Sequence, residues 1–277
     1  MYIMKKILIA FNGDYFPGSA LEFAIRLNRS QPVLLTGVFI PQATYAYLWN
    51  QASAGSGPLF PPFVEEVSSA IVKDNIIKFK ELCQANNVGY KVHKDVYDFA
   101  LPELIKETRF ADLLIVDSEK FYESTSKGEQ SSHLQDLLHQ TECPVLVVPE
   151  KFQFPEKNIL AYDGSESSVY AIKQFAYLFP EFTGNETLLV FSKDDEETEL
   201  PNETYIQELA SQHYKNLNLL KLNVDSKKYF ATWLSEEKKP ILVSGSFGRS
   251  TVSQLFRRSF VKEIIAHADL PVFIAHQ

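Results

Sequence analysis

Two stretches of this chain carry one pattern without a gap, and their separation restricts the fold more than any other feature. Ile7-Leu8-Ile9-Ala10-Phe11-Asn12-Gly13 matches Asn158-Ile159-Leu160-Ala161-Tyr162-Asp163-Gly164, each a short apolar run that stops at an Asx-Gly pair. The same offset sets Ala20, Leu21 and Leu27 against Ala171, Ile172 and Leu178. The far ends of the halves agree too: Cys143-Pro144-Val145-Leu146-Val147-Val148 parallels Leu270-Pro271-Val272-Phe273-Ile274-Ala275, a final apolar run entered through proline. A self-similar unit of roughly 130–150 residues is a duplicated domain, because solenoid repeats run to only about 20–50. The 277 residues therefore divide into domains 1–150 and 156–277, with Glu150-Lys151-Phe152-Gln153-Phe154-Pro155 between them.

Within the first half, strand patterns fall near 5–11, 33–40, 89–96, 112–117 and 144–149, and helical spacing near 17–29, 64–86, 100–109 and 129–140. The second half repeats the order, with strands near 158–163, 187–192, 217–223, 240–245 and 271–276, a helix near 165–179 and a shorter one near 202–214. Apolar strands alternating with helices predict a parallel sheet covered on both faces, since each right-handed crossover lays a helix across it. The fold class expected is α/β, two tandem Rossmann-like domains, each an open five-stranded parallel sheet. The connection from Pro41 to Pro62 holds Tyr45, Tyr47, Trp49 and Phe60 without a period. It reads as a loop packed on its own aromatics or on the partner domain, or as a ligand lid.

A formal net charge of −8 repels phosphate polymers and anionic lipid, which argues against nucleic-acid and membrane-surface partners. Only two cysteines, Cys83 and Cys143, are present, as suits a reducing compartment, and no segment approaches the ~18 apolar residues of a membrane span, so a cytoplasmic protein is expected. Both thiols read as buried, Cys83 on the apolar stripe of the 64–86 helix and Cys143 before the last strand.

In an open parallel sheet, ligands bind beyond the carboxyl ends of the strands where the strand order reverses. In the second half the fourth strand runs into Ser244-Gly245-Ser246-Phe247-Gly248-Arg249-Ser250-Thr251 and then into a helical pattern. Two glycines three apart let backbone N–H groups converge on an anion, and the next helix adds its positive end. Arg249, Arg257 and Arg258 supply cations nearby. A lone G-x-x-G is more often only a tight turn; here its position after strand four of a duplicated unit counts for it.

With these residues after strand four of a duplicated α/β unit, both halves resemble the universal stress protein family, and the whole chain resembles a tandem member with the adenine nucleotide alpha hydrolase-like fold. The resemblance covers the full chain. It implies a nucleotide loop of G-x-x-G, nine residues, then G-S or G-T, with an aspartate ending the first strand. Carried onto this sequence, Gly245, Gly248 and Ser259 match the loop and Asp163 the aspartate, while Arg258 stands where the family has its third glycine. Arg258 would either fill the space of a phosphate or pair with one as a bidentate donor. In the first half the corresponding turn reads Asp117-Ser118-Glu119-Lys120, with no glycine pair and two carboxylates, and Asn12 replaces the aspartate. That half reads as a degenerate copy.

The resemblance implies a non-catalytic stress-response regulator whose two domains pair within the chain, itself able to form a homodimer, with ATP or a related adenine nucleotide in the second domain. An interaction module that binds no nucleotide is the other reading, and a phosphate-transferring enzyme would need Asp163 as its sole base. The six histidines show no metal-ligand spacing, and no P-loop, G-x-G-x-x-G or G-x-S-x-G motif occurs.

Overall fold

The computed structural model describes residues 4–12, 15–40, 62–94, 100–118, 140–192, 199–222, 227–245 and 269–275. The predicted helix near 129–140 and the 41–61 connection lie outside them, apart from residue 140. The described chain runs β1 (Lys5–Asn12), α1 (Gly18–Ser30), β2 (Val33–Ile40), α2 (Pro62–Ala85), β3 (Gly89–Lys94), α3 (Ala100–Thr108), β4 (Leu113–Asp117) and β5 (Val145–Val148). It continues with β6 (Lys157–Ala161), α4 (Glu166–Leu178), a 3-10 turn (Pro180–Phe182), β7 (Glu186–Ser192), α5 (Glu203–His213), β8 (Asn216–Leu222), α6 (Lys227–Glu236), β9 (Pro240–Gly245) and β10 (Val272–Ala275).

All ten strands form one sheet in the order β3-β2-β1-β4-β5-β10-β9-β6-β7-β8. Each set of five is parallel, as the apolar runs predict, with β1 beside β4 in one and β6 beside β9 in the other. Each half thus holds the open five-stranded parallel sheet expected, and β5 and β10 join the two antiparallel, a union the repeat pattern did not specify, with Leu146 opposite Phe273, Val145 opposite Ile274 and Val147 opposite Val272. Leu146 and Phe273 are matched positions of the repeat, so this pairing has a local two-fold at their midpoint. Every residue of β4, β5 and β10 is buried, because these central strands are covered on both faces. The edge strands β3 and β8 mix exposed and half-buried residues, and the lysines Lys91, Lys94 and Lys221 discourage further strand pairing there.

Side chains alternate between two cores. On one face Ile7, Ile9, Phe11, Ile115, Leu146, Leu160, Val243 and Phe273 meet α1, α2, α4 and α5, forming a cluster that runs from the first half into the second. On the other, Leu8, Val116, Val147, Ile159, Leu242 and Ile274 pack with Leu104 of α3 and Phe230 and Leu234 of α6. Helix α1 turns Ala20, Leu21, Phe23, Ala24 and Leu27 inward at helical spacing. Its Phe23 reaches Phe152 and Phe154 of the connecting segment, with ring centroids at 5.5 and 5.1 Å, and Phe154 continues to Phe182 at 5.5 Å.

One ion pair also spans the halves. Lys5 of β1 lies 3.8 Å from Glu181 of the 3-10 turn and 5.6 Å from the Phe179 ring centroid. Burial lowers the Lys5 pKa and raises that of Glu181, each partly offset by the other's charge. Removing one member strands the other in a largely dry place, whereas replacing both leaves no orphan charge. Lys5→Met and Glu181→Leu should each destabilise the chain by about 1–3 kcal/mol in urea unfolding, and the double variant Lys5→Met/Glu181→Leu by clearly less than their sum. Strict additivity would show that the pair does not couple the halves.

Candidate functional site

The strand order reverses between β1 and β4 and again between β6 and β9, which makes two crevices at the carboxyl ends of those strands. The strand registers show which residues correspond. Ile9 pairs with Ile115 and Leu160 with Val243. Ile9 and Leu160 are equivalent in the repeat, so Ile115 answers to Val243 and, two residues on, Asp117 answers to Gly245.

In the second half the chain leaving β6 turns at Asp163-Gly164-Ser165. Asp163 Oδ1 accepts the Ser165 backbone N–H at 2.9 Å, and Gly164 takes φ +81°, a left-handed conformation costly for other residues. Ser165 then caps α4, its Oγ accepting from the Ser168 N–H at 3.2 Å. Gly245, at the end of β9, lies directly against this first turn: a Cβ there would come within 2.6 Å of the Ser167 carbonyl carbon and the Ser168 nitrogen. Both are backbone atoms that cannot swing aside, so only glycine brings the strand end this close to the helix N-terminus. Of the expected site residues, Asp163 thus sits in the turn that leads into α4 and Gly245 against the first turn of that helix. Gly248, Arg249, Arg258 and Ser259 lie outside the described residues.

The first half solves the same junction differently. Helix α1 begins after Pro17 with no side-chain cap of its own. Its first turn is served from across the crevice: Asp117 Oδ1 accepts the Ala20 backbone N–H at 2.6 Å, and Oδ2 accepts the Tyr15 hydroxyl at 2.7 Å. A carboxylate of the chain therefore sits where an anion would otherwise meet the helix N-terminus. Sequence reasoning read Asp117 only as a charge that repels phosphate and missed its capping role. The signal available was an aspartate ending β4 opposite a helix whose start, Pro17-Gly18, lacks a capping side chain. Burial raises the Asp117 pKa to about 6, although the hydrogen bonds from Tyr15 and the backbone of Ala20 and Ser19 pull it down; Glu150 adds to the rise.

The remaining chemistry-bearing residues are spread out. Cys83 and Cys143 are buried, as their patterns predict, and desolvation pushes both thiols up to about 12. His93 Nδ1 contacts Glu107 Oε1 at 2.5 Å, and His213 packs edge-on to Tyr177. Among the described residues no three His, Cys, Asp or Glu side chains converge to hold a metal, and no helix is long and apolar enough to cross a membrane.

Two consequences can be measured. Gly245→Ala should cost about 1–3 kcal/mol of unfolding free energy, as overpacking against fixed backbone does; a loss under about 0.5 kcal/mol would contradict the close approach. For Asp117, the folded chain holds the proton more tightly than the unfolded chain, whose carboxyl titrates near 3.8. Its contribution therefore favours the fold at low pH and is lost as pH rises from about 4 to about 6, an effect of roughly 2–3 kcal/mol. Asp117→Asn retains an oxygen for Ala20 and should flatten that part of the stability profile.

No family model matches the sequence, and no curated protein matches it. Solved structures do. A universal stress protein from Archaeoglobus fulgidus DSM 4304 superposes with a TM-score of 0.72 at 13% identity, covering 100% of this chain and 98% of the other. A functionally unknown protein from Pseudomonas aeruginosa PAO1 follows with a TM-score of 0.54 at 11% identity, covering 99% and 92%. Both matches extend over essentially the whole ten-stranded arrangement, and at these identities they establish architecture. The chain has the Rossmann-like α/β fold of the universal stress proteins.

Proposed function

We propose that the chain is a universal stress protein-like regulator, built of domains 1–150 and 156–277, with one adenine-nucleotide site in the second domain and none in the first. The observation that carries this reading is the exchange at one equivalent position, Gly245 against Asp117. In the second half a residue without a side chain closes β9 beside the first turn of α4, leaving that crevice free of any carboxylate from the strand end. In the first half the Asp117 carboxylate already takes up the corresponding N–H group of α1. A phosphate entering there would displace it and face its charge at short range.

In the proposed site Gly245 and Gly248 let the loop backbone approach the phosphates, Arg249 and Arg258 donate to them, and Ser259 and Asp163 contact the nucleoside. The role is binding, with ATP or a related nucleotide biasing contacts to protein partners. The second reading, an interaction module of the same fold without a ligand, draws on Arg258 at the position of the family's third glycine.

Titration calorimetry with ATP decides between them. Saturable binding to the wild-type chain, lost in Gly248→Arg and retained in Lys120→Ala, supports the nucleotide site; no heat with the wild-type chain overturns it. A bound nucleotide at 100 times its Kd would also stabilise the fold by about 2.7 kcal/mol, a second readout by thermal unfolding. Sustained phosphate release abolished by Asp163→Ala would overturn the purely binding role.

A further inference from the structure

A cavity of about 500 Å³ opens between α4 and α5, adjoining the second-half crevice: Tyr162, Gly164 and Ser165 of the β6–α4 turn line it, but Asp163 and Gly245 do not. Its size lies within the ~300–1,000 Å³ typical of small-molecule sites. Val169, Ile206 and Leu209 supply apolar lining, Tyr170 of α4 and Tyr205 of α5 stand on the two helices, and Lys173 and Glu166 contribute the charges. The mouth end is built by two unusual backbone positions. Gly164 at φ +81° packs on Pro201, whose carbonyl accepts the Tyr162 hydroxyl at 2.7 Å, and Asn202 at φ +52° then starts α5. Helix α5 is thereby anchored at its start, and Tyr205, one turn on, is 75% exposed at the cavity. Lys173 has no hydrogen-bond or ion-pair partner among the described residues. Glu166 lies seven residues, about 10 Å along the helix, from it, too far for the i,i+4 pairing that would quench both charges.

We propose that this cavity binds a planar aromatic acid, its ring against Tyr170 and Tyr205 over the apolar lining and its acidic group paired with Lys173. The cavity adjoins the proposed nucleotide crevice at Gly164 and Ser165 but uses neither Asp163 nor Gly245, so Gly248→Arg should leave dye binding here unchanged whatever it does to ATP. An aromatic ring gains from packing against tyrosine faces and edges. In a chain of net charge −8, an anion needs a local cation such as Lys173 to stay.

The test uses the full chain and two fluorescent naphthalenes, the anionic 1-anilinonaphthalene-8-sulfonate and the neutral N-phenyl-1-naphthylamine. The sulfonate should saturate at one site per chain. Lys173→Glu should weaken the sulfonate by about fivefold or more while shifting the neutral dye by less than about twofold. Leu209→Trp, which fills the cavity, should remove both, with thermal unfolding confirming that the variant is folded. Lys91→Glu on the distant edge strand β3 controls for net charge. Non-saturating binding, equal sulfonate affinity in Lys173→Glu, or equal weakening by Lys91→Glu would each overturn the site.

Discussion

The antiparallel contact of β5 with β10 is the constraint on which the rest of the molecule depends. Either strand alone would be an edge of four apolar residues, Val145-Leu146-Val147-Val148 or Val272-Phe273-Ile274-Ala275, with a row of unpaired N–H and C=O groups. Such an edge invites intermolecular pairing. Placing the two equivalent strands face to face satisfies both edges at once and turns them into the most buried part of the sheet. It also lets one apolar cluster run through both halves, carried along by the phenylalanines around Phe23, Phe154 and Phe182 and by the Lys5–Glu181 pair.

A near-symmetric frame makes the asymmetry at its two crevices informative. A helix that starts at a strand end needs something to accept its first N–H groups. Helix α4 uses its own Ser165, so β9 can end in glycine against it; α1 lacks a cap and takes Asp117 from β4. One residue position thus sets both how the helix is terminated and whether negative charge already occupies the crevice. The Asp117 carboxylate holds its proton up to about 6 because burial outweighs its hydrogen bonds, the expected result for an acid placed in a dry junction.

Most of the architecture was legible from residue patterns. The Asx-Gly stops, the proline-led final strands and the apolar runs placed strands such as β2 and β9 at their observed bounds and others within one or two residues. Helix α6 received no separate placement, since it is short and its inward residues Phe230 and Leu234 make too brief a stripe to read alone. The 3-10 turn at Pro180–Phe182 was also missed; it is held by Asn158, whose amide donates to the Phe182 carbonyl at 2.8 Å from a strand more than twenty residues away.

The amino-acid order by itself determined the duplicated α/β unit, the strand-helix alternation and the presence of a glycine at the end of β9, because each follows from local spacing and backbone freedom. What only the tertiary structure decided is the union of the halves into one sheet, the service of α1 by a carboxylate 97 residues away, and the gap left between α4 and α5. Those depend on which strand edges meet, how close a strand end comes to a helix terminus and how two helices are anchored, relations between distant segments that no local pattern encodes.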